Sequence, residues 1–208
     1  MDTASFQPKH IVLQSVRGNI ECIYHNAPES SHCVIWLCGA LGGLDGPSFG
    51  IFKMLSEQLV DDNISSLRLH YSNPGKFELC VQDTLEGIEY LKQRNIIQIA
   101  LVGHSFGGAV AIQAGVESTL VKAVVGLASQ TFGAQNVSLL SPRPLLLIHG
   151  ERDRNLPSHC SELIYKWAKE PKKLIMLKNN GHFLREAHHE LIPLLKRWLI
   201  NSFKENQV

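Results

Sequence analysis

Three side chains that could together carry out nucleophilic catalysis follow three apolar, strand-like segments of this 208-residue chain. Ser105 lies in "GHSFGG" after "IALV", Asp153 lies in "GERDRNLP" after "PLLLIH", and His182 lies in "NNGHF" after "KLIMLK". A serine hydroxyl attacks a carbonyl carbon when a histidine removes its proton and a carboxylate orients that histidine. The residue types and their order, Ser, Asp, His, therefore predict a catalytic triad, provided that the fold brings the three strand ends together.

The proposed nucleophile lies in a glycine-rich turn. Residues Gly103 to Gly107 fit the pattern G-x-S-x-G, in which the serine occupies a sharp strand-to-helix turn and its neighbours two residues away must be small. The apolar residues Leu101 and Val102 precede the turn, and the small apolar residues Ala109 and Val110 follow it, as the pattern requires. A phosphate-binding loop is the competing interpretation, but G-x-G-x-x-G and a P-loop lysine are both missing.

The base and the acid each have competitors. The histidines downstream of Asp153 are His159, His182, His188 and His189. Only His182 lies in a loop directly after a predicted strand, whereas His159 begins a predicted helix and the last two lie in or beside the terminal helix. Glu151 is the nearby alternative to Asp153, which lies in a turn-prone loop closed by Pro157. We therefore expect Asp153 to orient His182.

Backbone N–H groups should stabilise the negative charge that develops on the attacked oxygen. The residue after the nucleophile, Phe106, is expected to supply one N–H group. The glycine-rich segment "CGALGG" is expected to supply the second through Ala40 or, alternatively, Leu41, unless it is only a flexible connector. We also expect Phe132, Leu41 and His104 to contact the substrate.

The elements that must position these residues alternate along the chain. "HIVLQSV" and "NIECIYHN" read as a two-stranded antiparallel edge, and from residue 33 onward buried strands alternate with helices. This pattern predicts an α/β fold in which helices cover both faces of a parallel sheet, with the site at the carboxyl ends of the strands. One helix, "SFGIFKMLSEQLV", should bury four residues on one face: Phe49, Phe52, Leu55 and Leu59.

Composition excludes several classes of protein. The length predicts a single domain over residues 1–208, and the formal net charge of +1 gives no reason to expect nucleic acid or membrane as a partner. The N-terminal "MDTASFQPKH" lacks a signal-peptide pattern. The five cysteines are odd in number and include no C-x-x-C, which favours free thiols and a cytoplasmic location. No metal site is expected.

The segments "CGALGG", "GHSFGG", "GERDRNLP" and "NNGHF" together resemble the α/β-hydrolase superfamily over residues 9 to 200. Within it the chain looks most like compact dienelactone-hydrolase-like and small-esterase members. The resemblance implies the α/β-hydrolase fold, with a mostly parallel twisted sheet of about seven or eight strands, minimal or no cap domain and no cofactor. Ser105 stands where dienelactone hydrolases carry a cysteine, so that particular activity is not implied.

These observations predict a serine hydrolase that cleaves carboxylic ester or thioester bonds of small substrates with short or exposed acyl groups. The 13 residues from Ser129 to Ser141 are too few for a helical cap and are expected to form a small flap. An acyltransferase that uses the same acyl-enzyme and a non-catalytic ligand-binding or scaffold protein are the alternatives. Peptidase or amidase action ranks below ester cleavage, and the oligomeric state is not predicted.

Overall fold

The structure, a computed structural model, describes residues 7–204 and contains eight strands and five α-helices within them. The strands are β1 (Lys9–Ser15), β2 (Gly18–His25), β3 (His32–Leu37), β4 (Ser65–His70), β5 (Gln98–His104), β6 (Val121–Leu127), β7 (Leu145–Gly150) and β8 (Lys172–Leu177). The helices are α1 (Pro47–Val60), α2 (Phe77–Lys92), α3 (Phe106–Glu117), α4 (His159–Trp167) and α5 (His188–Lys204). Residues 1–6, which include most of the segment considered for a signal peptide, lie outside the described residues.

All eight strands form one sheet, in the order β1-β2-β4-β3-β5-β6-β7-β8. β1 pairs with β2 and β2 with β4 in antiparallel fashion, whereas every pair from β4 through β3 to β8 is parallel. The predicted antiparallel edge and parallel body are both confirmed. β5 lies in the interior of the parallel body and β7 lies two strands away, so their carboxyl ends open onto the same edge of the sheet.

Helices cover both faces of this sheet, which is why the strands are almost uniformly apolar. Along β5, Ile99 and Leu101 contact the core formed with α2, α3 and α4, while Ala100 and Val102 contact the core formed with α1 and α5. Successive side chains of a strand point to opposite faces, so a strand buried on both sides has no polar face to show in its sequence. The predicted α/β class is confirmed.

The first helix departs from its prediction at one residue. Ser48, Phe49 and Gly50 have positive φ angles of 50°, 59° and 87°, so the regular helix begins only after them. Phe52, Leu55 and Leu59 are buried as predicted, but Phe49 is 70% exposed. The prediction for Phe49 is wrong because the left-handed turn rotates its side chain away from the stripe that the regular helix buries.

No large cap domain covers the sheet in the part of the chain that the structure describes. The segment after β6 contains a short 3₁₀-helix, Gln135–Leu140, that packs against α3 and α4. Its apolar residues Ala134, Val137 and Leu140 are buried in the core on that face. The segment expected to form a small flap is therefore packed against α3 and α4 through its 3₁₀-helix.

Candidate active site

Ser105 occupies a strained backbone conformation between β5 and α3. Its φ and ψ angles are 58° and −119°, a region that destabilises a residue other than glycine by about 1–3 kcal/mol. Its N–H group donates to the carbonyl oxygen of Leu127 at 2.8 Å, which holds the turn against β6. A Cβ atom at Gly103 would overlap the carbonyl of Gly107, and one at Gly107 would overlap the carbonyl of Cys38. Both glycines of the pattern are therefore required by close backbone contact.

Asp153 and His182 lie in the loops after β7 and β8 and are hydrogen-bonded to each other. The Nδ1 atom of His182 is 2.6 Å from Oδ2 of Asp153. Oδ1 of Asp153 accepts the backbone N–H groups of Asn155 at 2.8 Å and Leu156 at 2.9 Å. The Asp153 side chain is fully buried, so its direction is fixed by these contacts.

These hydrogen bonds keep Asp153 ionised. Burial by itself would raise the pKa of Asp153, because a carboxylate loses its water. Hydrogen bonds from the Leu156 N–H group, from His182 and from the Asn155 N–H group outweigh that effect and lower the pKa below its usual value. At neutral pH the side chain is a carboxylate that can only accept hydrogen bonds.

The ionised carboxylate determines which nitrogen of His182 carries the proton. Since Asp153 can only accept, Nδ1 of His182 must donate to it, so in a neutral imidazole the lone pair is on Nε2. Ser105 and His182 line the same cavity, of about 490 Å³. The Ser105 hydroxyl makes no hydrogen bond to any residue between 7 and 204, a common state of such sites before substrate binds. The cavity therefore contains a serine hydroxyl and an imidazole in the tautomer that a base for that hydroxyl would need.

His104 fixes the backbone of the proposed base. The carbonyl oxygen of His182 accepts a hydrogen bond from Nε2 of His104 at 2.9 Å, and the two ring centroids are 4.8 Å apart. Burial lowers the pKa of His104 to about 4, so the ring is neutral near pH 7. His104 also lines the cavity, as expected of a residue near the substrate, but one of its nitrogens is already committed to the protein.

The loop after β3 forms the opposite wall of the cavity, through residues 38–47. The Gly42 N–H group donates to the Gly39 carbonyl at 2.9 Å, which places Ala40 and Leu41 in the middle of a tight turn. Within the described residues neither Ala40 nor Leu41 uses its N–H group in a hydrogen bond. A Cβ atom at Gly39 would lie 3.7 Å from Cβ of Ser105, so this turn passes directly beside the serine. Both candidate oxyanion donors therefore lie in a turn beside Ser105, and both residues line the cavity.

The loop has a second anchor that the sequence did not indicate. The Gly43 N–H group donates to Nδ1 of His70, at the carboxyl end of β4, over 2.7 Å. A Cβ atom at Gly42 would come within 2.6 Å of the same imidazole ring. His70 therefore packs under the turn and holds it against the sheet, so the segment is a fixed structure rather than a loose connector.

Phe106, expected to supply a backbone N–H group, and Phe132, expected to contact the substrate, lie in different surroundings. Phe106 is nearly buried, and its ring makes edge-to-face contacts with Tyr71 and Phe77 at centroid distances of 6.2 and 5.9 Å. Phe132 is 63% exposed, contacts Phe77 at 5.6 Å and lines a neighbouring cavity of about 340 Å³. The structure thus separates Phe132 from the cavity that holds Ser105. A contact between Phe132 and substrate stays a prediction.

The competing acid and bases have other neighbours. Glu151 is exposed, and the carboxylate that contacts His182 is that of Asp153. His159 pairs with Glu162 on the exposed side of α4 at 3.2 Å. His188 lies 2.8 Å from the carbonyl oxygen of Ser48. The geometry therefore supports the choice of Asp153 and His182 over these alternatives.

One buried residue next to the site escaped the sequence reasoning. His149, in β7, lies with Nε2 3.1 Å from Oδ2 of Asp153, the same oxygen that contacts His182. Its only signal in the sequence is a histidine within the otherwise apolar run "PLLLIHG". A histidine in such a run can equally well be a buried residue whose hydrogen bonds all lie within the core. Its contact with Asp153 forms only when the loop after β7 is folded.

Residues 7–204 contain no group of three or more His, Cys, Asp or Glu side chains placed to hold a metal ion. In the same range, none of the helices has both the length and the apolar character needed to cross a bilayer. All five cysteines, which lie within this range, are free thiols. Burial raises the pKa of Cys38, the thiol that lines the cavity, to about 11, so this thiol is protonated at neutral pH.

Comparison with known proteins places the fold. No family model matches the chain. The uncharacterized protein YfhR of Escherichia coli strain K12 is 28% identical over 49% of this chain and 45% of its own length, so the match spans about half of that relative. Two solved structures match a much larger share of this chain than that relative does. Est1E from Butyrivibrio proteoclasticus superposes with a TM-score of 0.79 over 94% of this chain and 99% of its own, at 15% identity.

The second structure is a dienelactone hydrolase from Anabaena variabilis, with a TM-score of 0.80 at 15% identity. The match covers 94% of this chain and 97% of that one. At such identity the likeness establishes the fold, and the activity must be argued from the site. The sheet order and these near-complete superpositions identify the fold as the α/β-hydrolase fold, and residues 7–204 contain no large cap domain.

Proposed function

We propose that the protein is a serine hydrolase that cleaves carboxylic ester or thioester bonds of small substrates. The observation that carries the proposal is the 2.6 Å hydrogen bond between Asp153 and His182, together with the cavity that His182 lines with Ser105 on its strained turn. The fold supports hydrolase chemistry in general through its likeness to esterase and hydrolase structures. The residue roles and the choice of bond rest on the geometry of this site.

The reaction follows from the tautomer of His182. Its free Nε2 takes the proton of Ser105 as the hydroxyl oxygen attacks the carbonyl carbon of the ester. The ionised Asp153 stabilises the imidazolium that results. N–H groups of Phe106 and of Ala40 or Leu41 stabilise the negative oxygen of the tetrahedral intermediate, each worth about 3 kcal/mol.

The second half of the reaction uses the same groups. The imidazolium of His182 donates its proton to the departing alcohol or thiol as the acyl-enzyme forms at Ser105. A water molecule then enters, His182 removes its proton, and the hydroxide attacks the acyl-enzyme carbonyl. The carboxylic acid leaves and Ser105 recovers its proton.

The form of the cavity supports short or exposed acyl groups. It is bounded by the loop over residues 38–47 on one side and by His182 and Phe183 on the other. Leu41 and Phe183 are 94% and 46% exposed, so the apolar surface at its mouth is open to solvent. A long acyl chain would leave most of its length in water, where it gains little from apolar burial.

Turnover of a chain-length series tests the proposal. We expect p-nitrophenyl acetate and butyrate to be hydrolysed faster than the palmitate, and Ser105→Ala and His182→Ala to reduce turnover by at least about 1,000-fold. His159→Ala, an exposed histidine on α4, is the matched control and should keep full activity. Turnover by Ser105→Ala within tenfold of wild type would contradict the mechanism. Preference for the palmitate would contradict the substrate class alone.

A further inference from the structure

His149 lies directly beneath the proposed acid and is completely buried. Its ring has polar contacts on both nitrogens. Nε2 lies 3.1 Å from Oδ2 of Asp153 and 3.1 Å from the carbonyl oxygen of Leu156, and Nδ1 lies 2.7 Å from Oγ of Ser161. A buried imidazole with every polar atom engaged is an ordered part of the structure rather than a filler of space.

The partners of His149 determine its tautomer. The carbonyl oxygen of Leu156 can only accept, and so can an ionised Asp153, so Nε2 of His149 must carry a hydrogen. Burial lowers the pKa of His149, so the ring is neutral near pH 7 and Nδ1 has no hydrogen. The Ser161 hydroxyl, at the start of α4, therefore donates to Nδ1.

The hydrogen on Nε2 completes the set of donors around the carboxylate. An ionised carboxylate offers about four lone-pair positions. Asn155 and Leu156 N–H groups occupy two on Oδ1, and His182 occupies one on Oδ2. His149 occupies the other with its single Nε2–H group, which it shares between Oδ2 and the Leu156 carbonyl oxygen. Because each oxygen has two donors, the carboxylate cannot rotate without losing hydrogen bonds, and Oδ2 stays aimed at His182.

We propose that His149 is a positioning residue, whose Nε2–H group holds Asp153 in the orientation that serves His182, with Ser161 fixing the tautomer from the far side. This inference rests on the proposed function but reaches beyond the triad. A continuous series of hydrogen bonds then joins Ser161 in α4, His149 in β7, Asp153 in the next loop and His182. It links the packing of α4 to the geometry of the site.

A matched pair of variants tests the hydrogen bond separately from packing. The His149→Gln variant keeps an N–H donor near the position of Nε2. In His149→Met the side chain is close to glutamine in length and shape but has no hydrogen-bond donor. We expect the Met variant to lose about tenfold in kcat with KM changed less than twofold, and the Gln variant to recover most of the loss. Equal activity of the two folded variants, or an effect on KM rather than kcat, would overturn the proposal.

Two further readouts do not depend on ester turnover, and the first needs no His149 variant. In the wild-type protein, ¹⁵N–¹H correlation of the imidazoles should show His149 neutral with its hydrogen on Nε2, and a hydrogen on Nδ1 would overturn the proposal. The low-field proton on Nδ1 of His182, identified by its loss in His182→Ala, should shift in folded His149→Met, and an unchanged position would overturn the proposal as well. Failure of the proposed function would appear instead as unchanged turnover in Ser105→Ala, whatever the His149 variants do.

Discussion

Replacement of Asp153 by asparagine should reverse the tautomer of His182 without removing a side chain. Oδ1 of Asp153 accepts N–H groups from Asn155 and Leu156, so the amide oxygen of an asparagine must take that place. The amide NH₂ group is then directed at His182 and His149, where the carboxylate had an acceptor. Nδ1 of His182 can meet this donor only by giving up its own hydrogen, which moves to Nε2.

The expected loss of kcat in Asp153→Asn follows from the change of tautomer. Nε2 is the atom that must take the proton of Ser105, and in the variant it is already protonated in the neutral ring. The same substitution in a serine protease triad lowers kcat by about 10,000-fold, equivalent to about 5.5 kcal/mol of barrier. We expect a loss of that order here. KM should change little, because Asp153 is buried and does not line the cavity.

Steady-state hydrolysis of p-nitrophenyl acetate measures both constants. Glu151→Gln is the matched control, since Glu151 is an exposed carboxylate two residues earlier and should be neutral to activity. Circular dichroism and thermal unfolding establish that the Asp153→Asn variant is folded. A folded variant with kcat within tenfold of wild type would refute the assignment of Asp153 as the residue that orients His182.

Three other outcomes follow from the structure. Gly103→Ala should lower the free energy of unfolding in urea by more than about 3 kcal/mol, because the added Cβ would overlap backbone atoms of Gly107. Gly181→Ala is the control, since its Cβ would have no atom within 4 Å and should cost little. Equal stability of the two variants would contradict the close packing of the turn. Leu41→Ala should raise KM for p-nitrophenyl butyrate about threefold with kcat held, through lost apolar contact, and an unchanged KM would remove Leu41 from the substrate site. Burial lowers the pKa of His104 and of His25 from 6.5 to about 4. The unfolded chain therefore binds protons first, and the free energy of unfolding should fall between pH 6.5 and 4, with a smaller slope in His104→Gln; a flat profile would contradict the neutral burial of both rings.

Much of the architecture could be predicted because its signals are local. Continuous apolar runs such as "CVIWLCG" predict strands buried on both faces, and alternation with helices predicts a parallel sheet. Parallel strands end at one edge, so motifs after β5, β7 and β8 were expected to meet. Asp153 and His182 do meet, and Ser105 lines the same cavity as His182.

The features that sequence did not reveal depend on contacts between distant segments. Phe49 fits the helical spacing, but hydrogen bonds from Ser48 to the carbonyl oxygens of Phe183 and Leu184 hold the start of α1 in a left-handed turn. His149 joins Asp153 to Ser161 only when α4 packs against β7. No spacing rule encodes either contact, since each is set by how two elements dock.

Activation of Ser105 is measured most directly by the mass of the intact protein after reaction with a fluorophosphonate, followed by peptide mapping. We expect a single adduct on the peptide that contains Ser105, and no adduct in Ser105→Ala or His182→Ala. The loss in His182→Ala matters most, because Ser105 is intact there and only its activation is removed. A folded wild-type protein that takes no adduct, or one labelled equally in His182→Ala, would contradict the claim that this site activates a serine.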